Sequence, residues 1–278
     1  YRHIGESTDV PAGDIGVGSR EIGYLFGQYK RITQRYEAGV ITGKSPSWGG
    51  TLIRKKATGY GAVFFCEDML RAVHYEELKG KTALVSGSGN VATYAMEKLR
   101  ASGAKVIACS DSGGVIVHEQ GIDVDAIIRI KEVERQRIYT YLDIHPDAKY
   151  IENGNIWDIP CDIALPCATQ NELEEEDAQT LVNNGCIAVC EGANMPSTPE
   201  AIKVFQTNNV AFAPGKAANA GGVASSALEM QLNATHSSSY EYSEDRLHEI
   251  MNHIHKACCQ TAEEFGEPHN YVLGANIA

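Results

Sequence analysis

Two stretches of the sequence hold residues whose types and spacing could do chemistry. The first is Asp9-Val-Pro-Ala-Gly-Asp-Ile-Gly-Val-Gly-Ser-Arg-Glu21, in which one carboxylate, Asp14, stands between glycines just after a proline-led turn. A carboxylate in a close-packed glycine turn can be partly desolvated and so tuned as an acid or base, whereas a lone Gly-Asp pair is ordinarily just a turn. The second is Ser86-Gly-Ser-Gly-Asn-Val-Ala92, which fits Gly87-x-Gly89-x-x-Ala92 between an apolar run and a helical pattern. A turn through Gly87, Ser88, Gly89, Asn90 and Val91 lets backbone N–H groups approach a pyrophosphate, whose charge then sits at the positive end of the following helix.

A further apolar run ends at Ser110-Asp111-Ser112-Gly113, with Asp111 placed 22 residues after Gly89. That is where a dinucleotide-binding fold reads the adenosine ribose. Asp111 would accept hydrogen bonds from a 2′-hydroxyl and repel a 2′-phosphate, which favours NAD. The flanking serines could instead donate to a phosphate, with charge from Lys131 or Arg129. Residue chemistry alone leans to NAD and keeps the second reading open.

Such residues need a scaffold of short buried strands alternating with helices. Continuous apolar runs predict strands at Thr82–Val85, Lys105–Cys109, Ile163–Leu165, Ile187–Cys190 and Val210–Ala213, as buried parallel strands require. Helices are predicted over Val91–Ser102, Val124–Arg137 and Pro199–Thr207, the alternation of a βα fold. Before them lie the aromatic-basic helix Glu21–Lys30 and a helix capped by Thr58 and running to about Val73, with a domain boundary just ahead of it. Asp245–Phe265 reads as an amphipathic helix and residues 236 to 245 as a polar loop. The sequence carries no internal repeat.

The bulk composition excludes several functions. Among 278 residues, 24 basic against 36 acidic side chains give a formal charge of −12 without any basic run, so nucleic acid, which demands a concentrated basic face, is excluded. The longest apolar runs are too short to span a bilayer, and the first residues lack a signal peptide's hydrophobic region. A cytoplasmic location without membrane attachment is expected. The eight cysteines are scattered without Cys-x-x-Cys spacing and read as free thiols of a reducing compartment. No metal ligands are assigned: His248 and His253 are five apart, where a helical zinc pair needs four, and the adjacent Cys258 and Cys259 read as packing residues.

Taken together, "DVPAGDIGVGSREIG", "GVITGK", "SWGGTLIR", "ATGYGAVFF", "SGSGNVA", "CSDSGG", "IALPCATQNEL", "EGANMP", "APGKAANAGGVASSALEM" and "NYVLGANIA" span the chain in order. In these segments the sequence resembles the hexameric glutamate dehydrogenases, above all the small NADP-dependent bacterial and fungal type. The resemblance implies an α/β fold: a Rossmann-like doubly wound parallel sheet over residues 56–278, whose last helix returns toward a remnant of a second α/β substrate domain over residues 1–55. It also implies an upstream lysine-rich segment and a short terminal helix beyond "GANIA", so the chain is expected to be a fragment.

The implied activity is the interconversion of L-glutamate with 2-oxoglutarate plus ammonium, by hydride transfer with a nicotinamide. By the same resemblance Asp14 is the catalytic aspartate that shuttles protons at the amino nitrogen. Ser226 and Val223, three apart and so on one helical face, meet the substrate's distal carboxylate and methylenes. Arg54, Thr58, Asn90, Asn194 and Asn219 line the substrate or cofactor cleft, with Thr58 and Asn219 near the nicotinamide. Ala168, Thr169 and Gln170 follow a strand at its carboxyl end, where cofactors bind in this architecture. The "SDS" at Ser110, Asp111 and Ser112 points to NADP, against the generic rule. A homohexamer is implied for the intact enzyme. Ser19, Pro46 and Lys55-Lys56 depart from the family pattern, outside the motif residues. Two alternatives stay open: an NAD-dependent dehydrogenase of another, apolar amino acid, and an inactive dinucleotide-binding fragment.

Overall fold

The structure, a computed structural model, describes residues 1–51, 53–235 and 243–278. The chain forms two compact units: Tyr1–Ala57 with Gly221–Ile250, and Thr58–Ala220 with Met251–Ala278. The sequence divides once in the prediction, after residue 55, whereas in the structure 221–250 clusters with the first residues. Most of the predicted 236–245 loop lies outside the described residues.

The second unit is built on a seven-stranded sheet in the order β4-β3-β2-β1-β5-β6-β7. Its strands are β1 (Thr82–Val85), β2 (Lys105–Asp111), β3 (Gly114–Val117), β4 (Lys149–Glu152), β5 (Ile163–Leu165), β6 (Ala188–Cys190) and β7 (Ala211–Ala213). β2, β1, β5, β6 and β7 run parallel, and β3 is antiparallel to both β2 and β4. All five predicted strands form, within a residue or two. Apolar side chains on both faces explain this: Leu84, Ala164, Val189 and Phe212 bury themselves in one core with Trp157, Leu173, Leu181 and Phe205, and strands covered on both faces can be apolar throughout.

The helices are α1 (Ser19–Thr33), α2 (Arg54–His74), α3 (Asn90–Ala101), α4 (Val124–Ile128), α5 (Glu175–Asn183), α6 (Pro199–Thr207), α7 (Gly215–Ala218), α8 (Gly221–Ala234), α9 (Glu244–Glu264) and α10 (Tyr271–Ile277). α6 starts where Thr198 accepts the Ala201 N–H and proline fills the first helical position, a favoured N-terminus. Thr58 is no cap: α2 begins four residues earlier, because Arg54, Lys55, Lys56 and Ala57 are all good helix formers. The predicted helix over Val124–Arg137 also breaks up. Asp123 caps a short α4 by accepting from Asp125 and Ala126, a wider π turn follows over Arg129–Glu134, and Arg135 ends it at φ +55°.

In the first unit the described residues form helices and turns. Ile22, Phe26 and Tyr29 on one face of α1 pack with Val40 and Ile41. α8 joins the same unit through long-range polar bonds described below. No helix among the described residues is long and apolar enough to cross a membrane, and all eight cysteines are free, seven of them buried.

Candidate active site

β1 is the central strand of the seven, flanked by β2 on one side and β5 on the other. Neighbouring loops there leave in opposite directions, which opens a crevice at the carboxyl ends of the strands. The turn after β1 opens into that crevice. Gly87 adopts φ +83°, and a Cβ on it would stand 3.2 Å from both Cα and Cβ of Ala168, so glycine alone fits without strain. Gly89 precedes α3 with open space where its Cβ would be, and no side chain caps that helix end. Gly59 in α2 serves the same region, since a Cβ there would meet the α3 backbone at 2.6 Å.

Beneath the turn, Ser86 Oγ donates to Glu172 Oε1 at 2.9 Å and accepts the Cys167 N–H at 2.8 Å. Glu172 Oε1 also accepts the N–H groups of Ala168 at 2.9 Å and Thr169 at 3.3 Å. One carboxylate thus shapes the exposed Ala168–Gln170 loop. Burial pushes the Glu172 carboxyl up, against these bonds. Glu191 plays the matching part after β6. It is almost fully buried and accepts from Ser197 N–H at 3.2 Å and Gly215 N–H at 2.6 Å; desolvation raises its pKa as well. Asn219, after α7, donates to Asn194 Oδ1 at 2.7 Å and to the carbonyls of Ala193 and Gly192 at 3.2 and 3.3 Å. Neither Glu172 nor Glu191 was found from sequence, because only the fold reveals which loops they bridge.

The carboxylate of Asp111 is turned inward. Its Oδ1 accepts the Gly113 N–H at 2.8 Å and its Oδ2 the Ile138 N–H at 3.1 Å, leaving the side chain only 6% exposed. Ser110 Oγ accepts the Gly87 N–H at 2.9 Å. The cation at this corner is neither of the two named from sequence, since Arg129 bonds Glu134 at 2.6 Å and Lys131 bonds the Gln136 carbonyl at 3.2 Å. Instead the exposed Arg137 guanidinium donates to Ser112 Oγ and lies 3.9 Å from Asp111 Oδ2. It comes into reach because the helix breaks at Arg135.

In the first unit, Arg54 Nε donates to Ser226 Oγ at 2.9 Å. Desolvation lowers the pKa of Arg54, opposed by the charge of Glu229. Glu229, one turn beyond Ser226 on α8, accepts from Lys44 Nζ at 2.5 Å, and neither side chain is exposed. It also accepts the backbone N–H groups of Gly43 at 3.0 Å and Lys44 at 3.4 Å, and Lys44 Nζ donates on to the Ile41 carbonyl. This pair fixes α8 in its unit and was not visible from sequence, its partners being 185 residues apart. Val223 is 70% exposed on the same helix. Asp14 is exposed on a turn closed by its own carbonyl and the Val17 N–H at 2.8 Å, with Gly16 at φ +73°. The expected desolvation of its carboxylate is not found.

The chain has known counterparts in sequence and fold. Residues 49–278 match the family model of the glutamate/leucine/phenylalanine/valine dehydrogenases. The chain belongs to this family. It is 54% identical to the NADP-specific glutamate dehydrogenase of Helicobacter pylori, over all of this chain and 63% of that protein. The NAD(P)-specific glutamate dehydrogenase of Xylanibacter ruminicola is 52% identical over the same shares. Among solved structures, Plasmodium falciparum glutamate dehydrogenase superposes with a TM-score of 0.93 at 47% identity, covering 99% of this chain and 60% of that one. The chain thus spans under two thirds of the length of these dehydrogenases.

Proposed function

We propose that the chain forms the dinucleotide-binding part, with a portion of the substrate part, of an NADP-dependent glutamate dehydrogenase interconverting L-glutamate with 2-oxoglutarate and ammonium. The observation that carries the cofactor reading is the corner at Ser112. With Asp111 turned toward backbone donors, Arg137 and Ser112 offer a guanidinium and a hydroxyl to a 2′-phosphate. Charge-assisted bonds of this kind are the strong ones.

The residues fit a dinucleotide: Gly89 leaves open space at an uncapped helix end, where the macrodipole favours a pyrophosphate. When bound, the nicotinamide exchanges a hydride with the substrate's α-carbon. Gly87 to Val91 hold the pyrophosphate; Ala168, Thr169 and Gln170, shaped by Glu172, border the cofactor, and Asn219 with Asn194 and Thr58 orients the nicotinamide. Ser226 and Arg54 take the distal carboxylate, and Val223 lies along the methylenes. An apolar amino acid would offer that hydroxyl–guanidinium pair no acceptor. Asp14 exchanges protons at the amino nitrogen, its exposure leaving it accessible to substrate.

A homohexamer in the cytoplasm is the proposed setting; relatives named glutamate dehydrogenase support the activity. The test is Asp14→Asn in a protein of the relatives' full length. Glutamate turnover should fall by about a thousandfold or more, in line with the loss of a general acid–base group, with NADPH affinity unchanged. Turnover within about tenfold of the parent would remove Asp14 from the chemistry.

A further inference from the structure

At the opposite end of the strands from the glycine turn, we infer a binding site for a transition-metal dication such as Zn²⁺, made by His118, His145 and Asp147. β3 runs antiparallel to β2, so its carboxyl end lies where the parallel strands begin. His118 follows directly on β3, while His145 and Asp147 lie in the turn leading into β4. The register Val117 with Lys149 brings the residue after β3 beside those before β4.

One donor atom from each of the three lies within 4.8 Å of the others. His118 Nε2 and Asp147 Oδ2 are 3.2 Å apart. Two ligands on a tetrahedral zinc, with bonds of about 2.0–2.1 Å, stand roughly 3.4 Å apart. That pair is already at ligand spacing, and no other pair has to close by more than about 1.4 Å.

Both histidine rings are also held by neighbouring side chains. His118 Nδ1 meets the Tyr141 hydroxyl at 2.9 Å, and that hydroxyl is fixed by the Asp123 N–H at 2.8 Å. His145 Nε2 meets Asp123 Oδ2 at 3.0 Å and its ring stacks on Tyr141 with centroids 4.6 Å apart. Outer-shell partners of this sort set the ring orientation of metal-bound imidazoles. Neither Asp123 nor Asp147 forms an ion pair with a lysine or arginine among the described residues, so both carboxylates are available to compensate a cation. Two imidazoles with carboxylate oxygen suit Zn²⁺, Co²⁺ or Ni²⁺ rather than Mg²⁺ or Ca²⁺. The ion would fasten the two ends of the segment that carries α4 and Arg137.

The experiment is equilibrium titration of chelator-stripped protein with Zn²⁺ against a chromophoric competitor, and with Co²⁺ by absorption spectroscopy. It compares the parent with His145→Ala and Asp147→Asn, both outside the core and so tolerant of change. The expected result is one Zn²⁺ per chain at micromolar affinity or tighter, weakened at least about tenfold in each variant, and Co²⁺ ligand-field bands without thiolate charge transfer. No binding, binding unchanged in the variants, or a thiolate band assigning the ion to cysteines would overturn the site.

Discussion

Replacing Lys44 by methionine tests what positions Ser226. The ammonium of Lys44 lies 2.5 Å from Glu229 with both side chains fully buried. Breaking such a pair from one side leaves an uncompensated carboxylate, at a cost of about 3–5 kcal/mol. Among the described residues, the N–H groups of Gly43 and Lys44 would remain as its donors. With a urea slope of about 2 kcal/mol/M, the unfolding midpoint of the first unit should drop by roughly 1.5–2.5 M. Adding Glu229→Gln removes the stranded charge yet keeps an oxygen for one backbone donor, so the double variant should recover at least about 1 kcal/mol of the loss. Trp48 lies in the first unit and Trp157 in the second, so Trp48 fluorescence in a Trp157→Phe background reads the right transition. A Lys44→Met penalty below about 1 kcal/mol, or strictly additive single and double variants, would refute the claim that this pair anchors α8.

Three other outcomes follow from the same geometry. Gly87→Ala forces a side chain into φ +83°, costing about 1–2 kcal/mol of stability, and should weaken NADPH binding, both measurable by denaturation and titration. Arg137→Ala should weaken NADPH binding about tenfold or more, the worth of a charge-assisted bond, and leave NADH binding within about twofold; an equal loss for both would assign Arg137 a structural role. Burial pushes the Cys109 thiol up to about 12 from 9.0. With the folded value raised, this thiol's contribution is complete below about pH 9 and is lost as pH rises toward 12, at about 1.4 kcal/mol per pH unit. Urea midpoints should therefore fall above pH 9, less steeply in Cys109→Ala; parallel profiles would contradict this.

The parts of the fold legible from sequence are those fixed by local pattern. β1, β5 and α6 form over the predicted residues because apolar runs of buried strands and the Thr198-Pro199 start are local signals. β3 and β4 were missed: both are four residues long; β4 is an exposed edge strand without a continuous apolar run, and the buried run of β3 follows β2 after only two residues, so it does not stand apart in the sequence. The glycine turn was readable because its conformational demand shows in the residue type. Asp111 was readable as a position but not as an orientation, since its partner Ile138 is 27 residues away. Arg137 was hidden as the last residue of a predicted continuous helix, and Glu229 by a partner 185 residues distant. Where a side chain's role depends on a remote backbone group, one sequence does not carry it.

The central claim, that this crevice holds a dinucleotide and prefers one with a 2′-phosphate, is tested most directly by parallel fluorescence titrations of this chain with NADPH and NADH. Saturable NADPH binding at least about tenfold tighter than NADH is the predicted result, reflecting one charge-assisted contact at Arg137. Equal or tighter binding of NADH would contradict the reading of Ser112 and Arg137, and binding of neither would contradict the crevice itself.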